Sequence, residues 1–395
     1  MTKKLLFVIT QPVVGGAQKY VFDLASYFSQ KSGYDVLVAM GGSAEGDLFK
    51  KLDLAKIKTH HLKFLGREIK ISDDFLAFFE ILKLFKQEQP DIIHLNSSKV
   101  GLIGALAGWY YGLGHNYKPK IIFTAHGWRF KENRPGWVQS AAVFLAWFSS
   151  KFIDRIICVS QDDFNQALKY RIAPIRKLQI IHNAVTDTKF LTQKNALAQI
   201  SKIMGREIPN DAVLLVNFGR LYATKGLNYL IESVKELRAK LSNKEIFLVI
   251  FGDGPEQENL KSQISNLPVR QAGLKLQDCI FLVGDKSEVS QYLTAFDAMV
   301  LSSTKEGFPY AILEAGLAGV PVISTNVGGV GEVINDGETG ILVKPKDSKE
   351  LAEAMENLIK DTAQAEKMSA TLKKLILKKF DFETMASKTE WVYKV

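Results

Sequence analysis

Cysteine is nearly missing. Two residues among 395, Cys158 and Cys279, cannot form a disulfide framework or a Cys-rich zinc site. Each sits inside an apolar run, IICVS and CIFLV, the setting of a buried reduced thiol. Long apolar runs are missing too: residues 5–10 (LLFVIT) and 298–301 (AMVL) are strand-sized, against the roughly 20 residues a membrane helix needs. The sequence therefore predicts no bilayer span. Its start, MTKK, leads into one short apolar run and a Gly-bearing loop with no small-residue cleavage site. No secretory leader is expected, and the predicted location is cytoplasmic. Low-complexity tracts are absent, and with 47% hydrophobic and 24% charged residues the chain can offset its ordering entropy by burial, which excludes large-scale disorder. The two halves share no sequence register, which excludes a solenoid.

Positive charge is present and unevenly placed. Residues 1–185 hold 25 Lys and Arg against 15 Asp and Glu, and residues 186–395 hold 26 against 27, so the excess lies entirely in the first half. A basic half suits an anionic partner, nucleic acid or anionic lipid headgroups, although scattered lysines also serve plain solubility. Short β-branched runs alternate with helix-length amphipathic stretches throughout, the pattern of parallel sheets covered by helices on both faces. Strands are expected at 5–10, 35–40, 92–96, 121–126, 155–160 and 178–183. After a polar, strandless stretch at 186–210 they resume at 212–219, 247–254, 279–285, 298–303, 321–326 and 340–343. The fold class is therefore α/β, with two doubly wound Rossmann-like domains at 1–185 and 211–378 and an interdomain connection at 186–210. The active site is expected in a central cleft faced by both domains, beyond the carboxyl ends of the strands.

Residues 11–18 (QPVVGGAQ) put Gly15 and Gly16 at the opening of a helix, where free backbone N–H groups favour an anion; a tight strand-to-helix turn has the same composition. The run is not G-x-G-x-x-G. FGDGPEQ at 251–257 has Gln257 in the third glycine's place, so nicotinamide dinucleotide binding is not indicated. Arg220 and Lys225, in GRLYATKGL, follow a strand and are placed to hold a diphosphate and to neutralise a departing one. The most informative run is EGFPYAILE at 306–314. Pro309 pre-sets the first helical turn, which aims the Ala311 and Ile312 amides toward a ligand, and Gly307 permits close backbone approach. Glu314, one turn in, can take two hydroxyls of a ribose or sugar, and Glu306 lies on the loop before it. Burying both carboxylates without a polar ligand would be costly, whereas solvated helix charges are the alternative. His126 ends a strand and precedes Gly127, which favours function; His94 and His182 are read as structural.

These runs do not stand alone. GGAQ at 15–18, HLNSSKVG at 94–101, TAHGW at 124–128, CVSQ at 158–161, IIHNAV at 180–185, FGRLYATKG at 218–226, FGDGPE at 251–256 and GGVGEVINDGETGILV at 328–343 together resemble the retaining glycosyltransferases of family four, with the two-domain GT-B fold, of the bacterial envelope and capsular polysaccharide type. Glu306 and Glu314 match that family's E-x7-E motif; NAV at 183–185 replaces its commoner Asn-Gly-Val. The resemblance covers nearly the whole chain. It implies an acceptor-binding domain at 1–185, a nucleotide-sugar-binding domain at 211–378 and a helix at 379–395 that crosses back to the first domain. It implies Glu314 on the nucleotide ribose, Glu306 on the donor sugar, Arg220 and Lys225 on the diphosphate and Gly16 on a further phosphate oxygen. His126, Glu306, Arg220 and Lys225 are then the catalytic set. Gly15, Gly16, Gly307, Phe308, Ala311, Ile312 and Glu314 complete the donor site, while Ser98, Lys99, Trp128, Arg129 and Trp137 lie on the acceptor or membrane side.

The reaction so implied moves a sugar from a nucleoside-diphosphate sugar to a hydroxyl of a saccharide or polyprenyl-linked acceptor, with retention. It needs no cofactor and no metal, and the sequence has no D-x-D triplet. A sugar-nucleotide 2-epimerase of similar fold and a noncatalytic nucleotide-sugar-binding protein are the alternatives. Nucleic-acid binding is not expected, since no zinc, helix-turn-helix or RNA-platform signature supports it. Residues 127–152 interleave Trp128, Phe130, Trp137, Phe144, Trp147, Phe148 and Phe152 with Arg129, Lys131, Arg134 and Lys151, a mixture the headgroup boundary favours, so peripheral attachment to an anionic membrane is expected. Val138, Ala141, Leu145, Phe148 and Phe152 also recur at helical spacing, which suits a core-facing helix instead.

Overall fold

A computed structural model describes residues 2–13, 15–114, 118–131, 135–186, 188–266, 278–286 and 288–395; Arg134 lies outside the described residues. The chain divides into two compact units, one of Met1–Asn183 with Phe382–Val395 and one of Ala184–Asp381.

The first unit is built on seven strands: β1 (Lys3–Ile9), β2 (Tyr34–Met40), β3 (Lys58–His61), β4 (Ile92–Leu95), β5 (Lys120–Ala125), β6 (Arg155–Cys158) and β7 (Leu178–Ile180). All pair in parallel, in the order β3-β2-β1-β4-β5-β6-β7. Leu5, Leu6, Phe7, Val8 and Ile9 are all buried. An unbroken apolar run is what a strand covered on both faces requires. β3 reads KTHH and is largely exposed at the sheet edge, which is why apolar patterning yields six strands where the structure has seven.

The second unit holds β8 (Val213–Phe218), β9 (Ile246–Phe251), β10 (Ile280–Leu282), β11 (Ala298–Leu301), β12 (Val322–Thr325) and β13 (Ile341–Val343), in the parallel order β10-β9-β8-β11-β12-β13. Each unit thus reverses its winding once, at β1/β4 and at β8/β11. In doubly wound sheets the loops at the carboxyl ends of those two strands form the ligand crevice.

Residues 186–210 are more than an open connection. They contain the helix Gln193–Met204, which Thr192 caps by accepting from the Asn195 amide and which Gly205 closes in the left-handed region. Ala196, Ile200 and Met204, four residues apart, give it a buried stripe in the second unit. The helix Phe382–Lys394 buries Met385, Ala386, Thr389, Val392 and Tyr393 and belongs to the first unit.

Candidate active site

In the second unit, the loop after β8 and the loop after β11 are stitched together. Thr304 N–H donates to the Thr224 carbonyl at 2.8 Å, and Ser302 Oγ donates to the Lys225 carbonyl at 2.9 Å. Gly226 sits at φ 60°, where a Cβ would lie 2.2 Å from the Ser302 carbonyl oxygen, so only glycine permits this approach. The stitching brings Lys225 Nζ to 2.6 Å from Glu306 Oε1, which also accepts from Ser303 Oγ at 2.6 Å. The Glu306 side chain is 10% exposed and that of Lys225 24%. Two charges so far withdrawn from water each depend on the other. Arg220 lies over the Tyr222 ring, with its guanidinium carbon 5.2 Å from the ring centre and Nη2 donating to the Tyr222 hydroxyl at 2.8 Å. Its Nε is buried with no hydrogen-bond partner. A cationic donor left unmatched at the carboxyl end of β8 is ready for an anion.

Beside these groups begins the helix Tyr310–Ala318. Pro309 is its N-cap, one position earlier than the expected place in the first turn, and neither a side-chain cap nor an acidic residue offsets the helix start. The Ala311 and Ile312 amides therefore belong to an open positive end suited to phosphate. The loop of residues 328–332 buttresses it: Gly329 N–H donates to the Gly307 carbonyl at 2.8 Å, and at Gly328, φ 57°, a Cβ would come within 2.0 Å of the Glu306 carbonyl oxygen. Phe308 is buried, its ring centre 5.2 Å from that of Phe380. The ring is committed to the core, which leaves the Phe308 main chain as the part open to a donor. Ile312 likewise buries its side chain, while Glu314 is half-buried on the second turn.

In the first unit, Gly15 is the N-cap of the helix Gly16–Gln30, again with no capping side chain and no acidic residue in the first turn. Gln18 Nε2 donates to the Gln11 carbonyl at 2.9 Å and closes the loop. Thr10 Oγ1 and Ser97 Oγ hydrogen-bond across the β1/β4 switch point. His126 follows β5, its ring centre 4.8 Å from that of Tyr20 in an edge contact, and its Nε2 is 3.2 Å from Asn96 Oδ1. Asn96 Nδ2 donates to the His94 carbonyl at 3.0 Å. That carbonyl fixes the amide, turns the Asn96 oxygen toward His126 and so places the proton on His126 Nε2, leaving Nδ1 as an acceptor. Burial lowers the His126 pKa to about 3, and the ring is neutral at ordinary pH. Asn96, the partner of His126, is not among the candidates that the sequence offers; its one signal is a polar residue ending the IIHLN strand. His94 is structural, with Nδ1 2.6 Å from the Tyr393 hydroxyl and Nε2 2.7 Å from Thr124 Oγ1.

The acceptor-side residues separate. Ser98 and Arg129 are exposed, and Trp137 is 76% exposed. Trp128 is a correction: it is buried, its indole N–H donates to the Asp163 carbonyl at 2.8 Å, and it stacks on Phe130. With its one polar atom satisfied, so large an apolar side chain gains by leaving water. The Lys99 ammonium is held by Asp74 and the Glu68 carbonyl. The helix Gly136–Ser150 leans on the core through Ala142, Val143 and Ala146. Of the stripe expected from spacing, Phe152 packs against the core, whereas Ala141, Leu145 and Phe148 are exposed.

Among the described residues no group of three or more His, Cys, Asp or Glu side chains gathers as metal ligands, and no helix is long and apolar enough to cross a membrane. Residues 14–189 match the family model Glycosyltransferase Family 4, and residues 201–375 match Glycosyl transferases group 1. The chain is 26% identical over 358 residues to the Escherichia coli UDP-Gal:alpha-D-GlcNAc-diphosphoundecaprenol alpha-1,3-galactosyltransferase, covering 91% of this chain and 88% of that one. It is 33% identical over 313 residues to the glycogen synthase of Mycobacterium tuberculosis, covering 77% and 69%. The solved structure of Anabaena HepE with UDP and glucose superposes with a TM-score of 0.79 at 21% identity, covering 99% of both chains. Two parallel Rossmann-like sheets, family matches to both halves and these relatives have one meaning: the chain is an enzyme of the family 4 glycosyltransferases, with the GT-B fold.

Proposed function

We propose that the enzyme transfers a sugar, with retention, from a nucleoside-diphosphate sugar to a hydroxyl of a saccharide or polyprenyl-linked acceptor, in envelope polysaccharide synthesis at the cytoplasmic face of the membrane. The observation that carries this reading is the set of anion donors at the β8/β11 switch point: the unmatched Arg220 Nε, Lys225 beside Glu306, and the open start of the helix Tyr310–Ala318. These meet the charge that grows on a departing diphosphate, which is where stabilisation accelerates the reaction. Glu306 accepts from a donor-sugar hydroxyl, Glu314 from the nucleotide ribose, and the amides at Gly15 and Gly16 offer a further phosphate contact. As the sugar–phosphate bond breaks, the acceptor oxygen bonds the same face of the anomeric carbon and its proton passes to the departing phosphate oxygen. In this reading His126 is no general base: its Nε2 faces Asn96 Oδ1, and its Nδ1 serves to accept from a hydroxyl of the donor sugar. The lipid-linked acceptor is supported by the name of the Escherichia coli relative, and a uridine nucleotide by that name and by the UDP held in HepE.

The test is a panel of UDP-, GDP- and ADP-sugars with and without a membrane lipid extract, read as free nucleoside diphosphate and as the anomeric configuration of the product. Release that depends on the extract, with retained configuration, is expected. An epimerised nucleotide sugar with no transfer would make the chain an epimerase, and binding without turnover would make it a sensor. Activity should survive EDTA; loss on chelation, restored by magnesium or manganese, would overturn the metal-free part.

A further inference from the structure

We propose that three adjacent helices of the first unit, Ile71–Glu88, Ser98–Leu113 and Gly136–Ser150, form one face that seats the enzyme on an anionic lipid bilayer. The proposal rests on the reading of a lipid-linked acceptor and names the surface that reaches it.

The three helices pack side by side, and each exposes large apolar side chains. Ile71 is 86% exposed and Phe75 63%; Phe79, Tyr110, Leu113, Trp137 and Phe144 are exposed as well. Rings link one helix to the next, Phe78 to Tyr110 at 6.3 Å, and Trp109 to Phe152, just beyond the third helix, at 5.2 Å. Scattered exposed apolar residues are ordinary; a continuous aromatic face over three helices is an interaction surface.

Charge identifies the partner. The third helix, GWVQSAAVFLAWFSS, has no charged residue, and the Lys151 ammonium that follows it lies 4.6 Å over the Trp147 ring. On the first helix, the line through Ile71, Phe75 and Phe79 continues at the same four-residue spacing to Lys83, which is exposed, as is Lys86. Two of the nearby acids are turned away, since Asp74 pairs with Lys99 and Glu80 accepts from the main-chain N–H groups of Lys63 and Phe64 at 2.8 and 3.1 Å; Asp73 is partly exposed, and the exposed Glu68 lies 3.7 Å from Lys70. Aromatic rings with lysines at their edge and few free carboxylates fit a headgroup layer of negative charge. Helices of this length lie in the interface plane and do not span it.

Flotation of the full chain with vesicles of phosphatidylcholine, alone and with increasing phosphatidylglycerol, at low and high salt, tests this without any turnover. Binding should rise with phosphatidylglycerol and fall with salt. Phe75→Ser combined with Phe144→Ser should reduce the vesicle-bound fraction at least tenfold, and Lys83→Glu should weaken binding to anionic vesicles roughly fivefold. The variants' thermal shift with UDP checks that they are folded. Nucleoside diphosphate release on a soluble saccharide acceptor is read separately, so docking and transfer can fail independently. No flotation in any mixture at low salt, or flotation unchanged in the folded variants, overturns the proposal. So does a dimer in sedimentation that the two Phe→Ser changes dissolve, since the face then belongs to a second copy.

Discussion

Asn96 decides what His126 can do. Nitrogen-15 NMR of the histidines should find His126 as the neutral Nε2–H tautomer from pH 8 down to about 4, in keeping with its lowered pKa. Asn96→Ala should mix the tautomers and lower kcat by about tenfold with a smaller change in KM, the range of a lost orienting contact; a kinetic change with an unaltered tautomer would refute that link. The Lys225–Glu306 pair separates two effects. Glu306→Ala should weaken the sugar-bearing donor by about 1.5–3 kcal/mol while leaving free nucleoside diphosphate bound as well as before, because Lys225 is released to the phosphates. Glu314→Ala should weaken both ligands, and calorimetric titration of each distinguishes the roles. Asp163 offers a test of stability against pH. Burial raises its pKa to about 6, neighbouring Asp162 adds to this, and Lys131, 3.9 Å away, opposes it. A carboxyl raised in the folded state is ionised at cost above its folded pKa and costs nothing below its unfolded one. Asp163→Asn should therefore raise Tm at pH 7 by several degrees, on the order of 2–3 kcal/mol, and the gain should vanish below about pH 4.

At the scale of elements, the two helix starts are held in place by the turns around them. Gly328→Ala should push on the Glu306 carbonyl, since its Cβ has 2.0 Å of room at a positive φ. The expected result is donor affinity at least tenfold weaker with the far-UV circular dichroism unchanged; unaltered affinity would mean the loop does not position Glu306. How much of this could be read beforehand follows from what each element hides. β9 reads IFLVIF, and β1 and β8 carry the apolar runs LLFVI and VLLV, because both faces are covered there, and that signal survives in the sequence. β3 is polar at an exposed edge and leaves none. Lys225 and Glu306, 81 residues apart, meet through two loops stitched by main-chain bonds, so types and flanks suggested their roles but no spacing could give the ion pair. Trp128 and Trp137 are the same residue type nine positions apart, yet one is buried and the other exposed, because the first has the Asp163 carbonyl within reach of its indole N–H and the second begins a surface helix.

At the scale of the whole molecule, the helix Phe382–Lys394 ties the chain back to its first sheet. Tyr393 is buried and hydrogen-bonds His94 on β4, while Lys31 and Glu390 pair at 2.9 Å. Tyr393→Phe leaves a buried imidazole nitrogen unsatisfied and should cost about 1–3 kcal/mol. Hydrogen exchange should then quicken in β4 and β5 and stay unchanged in β8 and β9; equal acceleration in both units would show that the tie is not local. The same path of the chain sets a timetable for biosynthesis. Residues 1–183 leave the ribosome first, but the side chain that fills the seat beside His94 follows only after residues 184–381 have been made, a wait on the order of 10–40 s at typical rates of translation. Through that interval the nascent sheet exposes an unfilled apolar notch around a buried histidine, the kind of surface a chaperone holds. A circular permutant that places residues 382–395 ahead of residue 3 would close the notch before the second unit is begun, and should need less of that help.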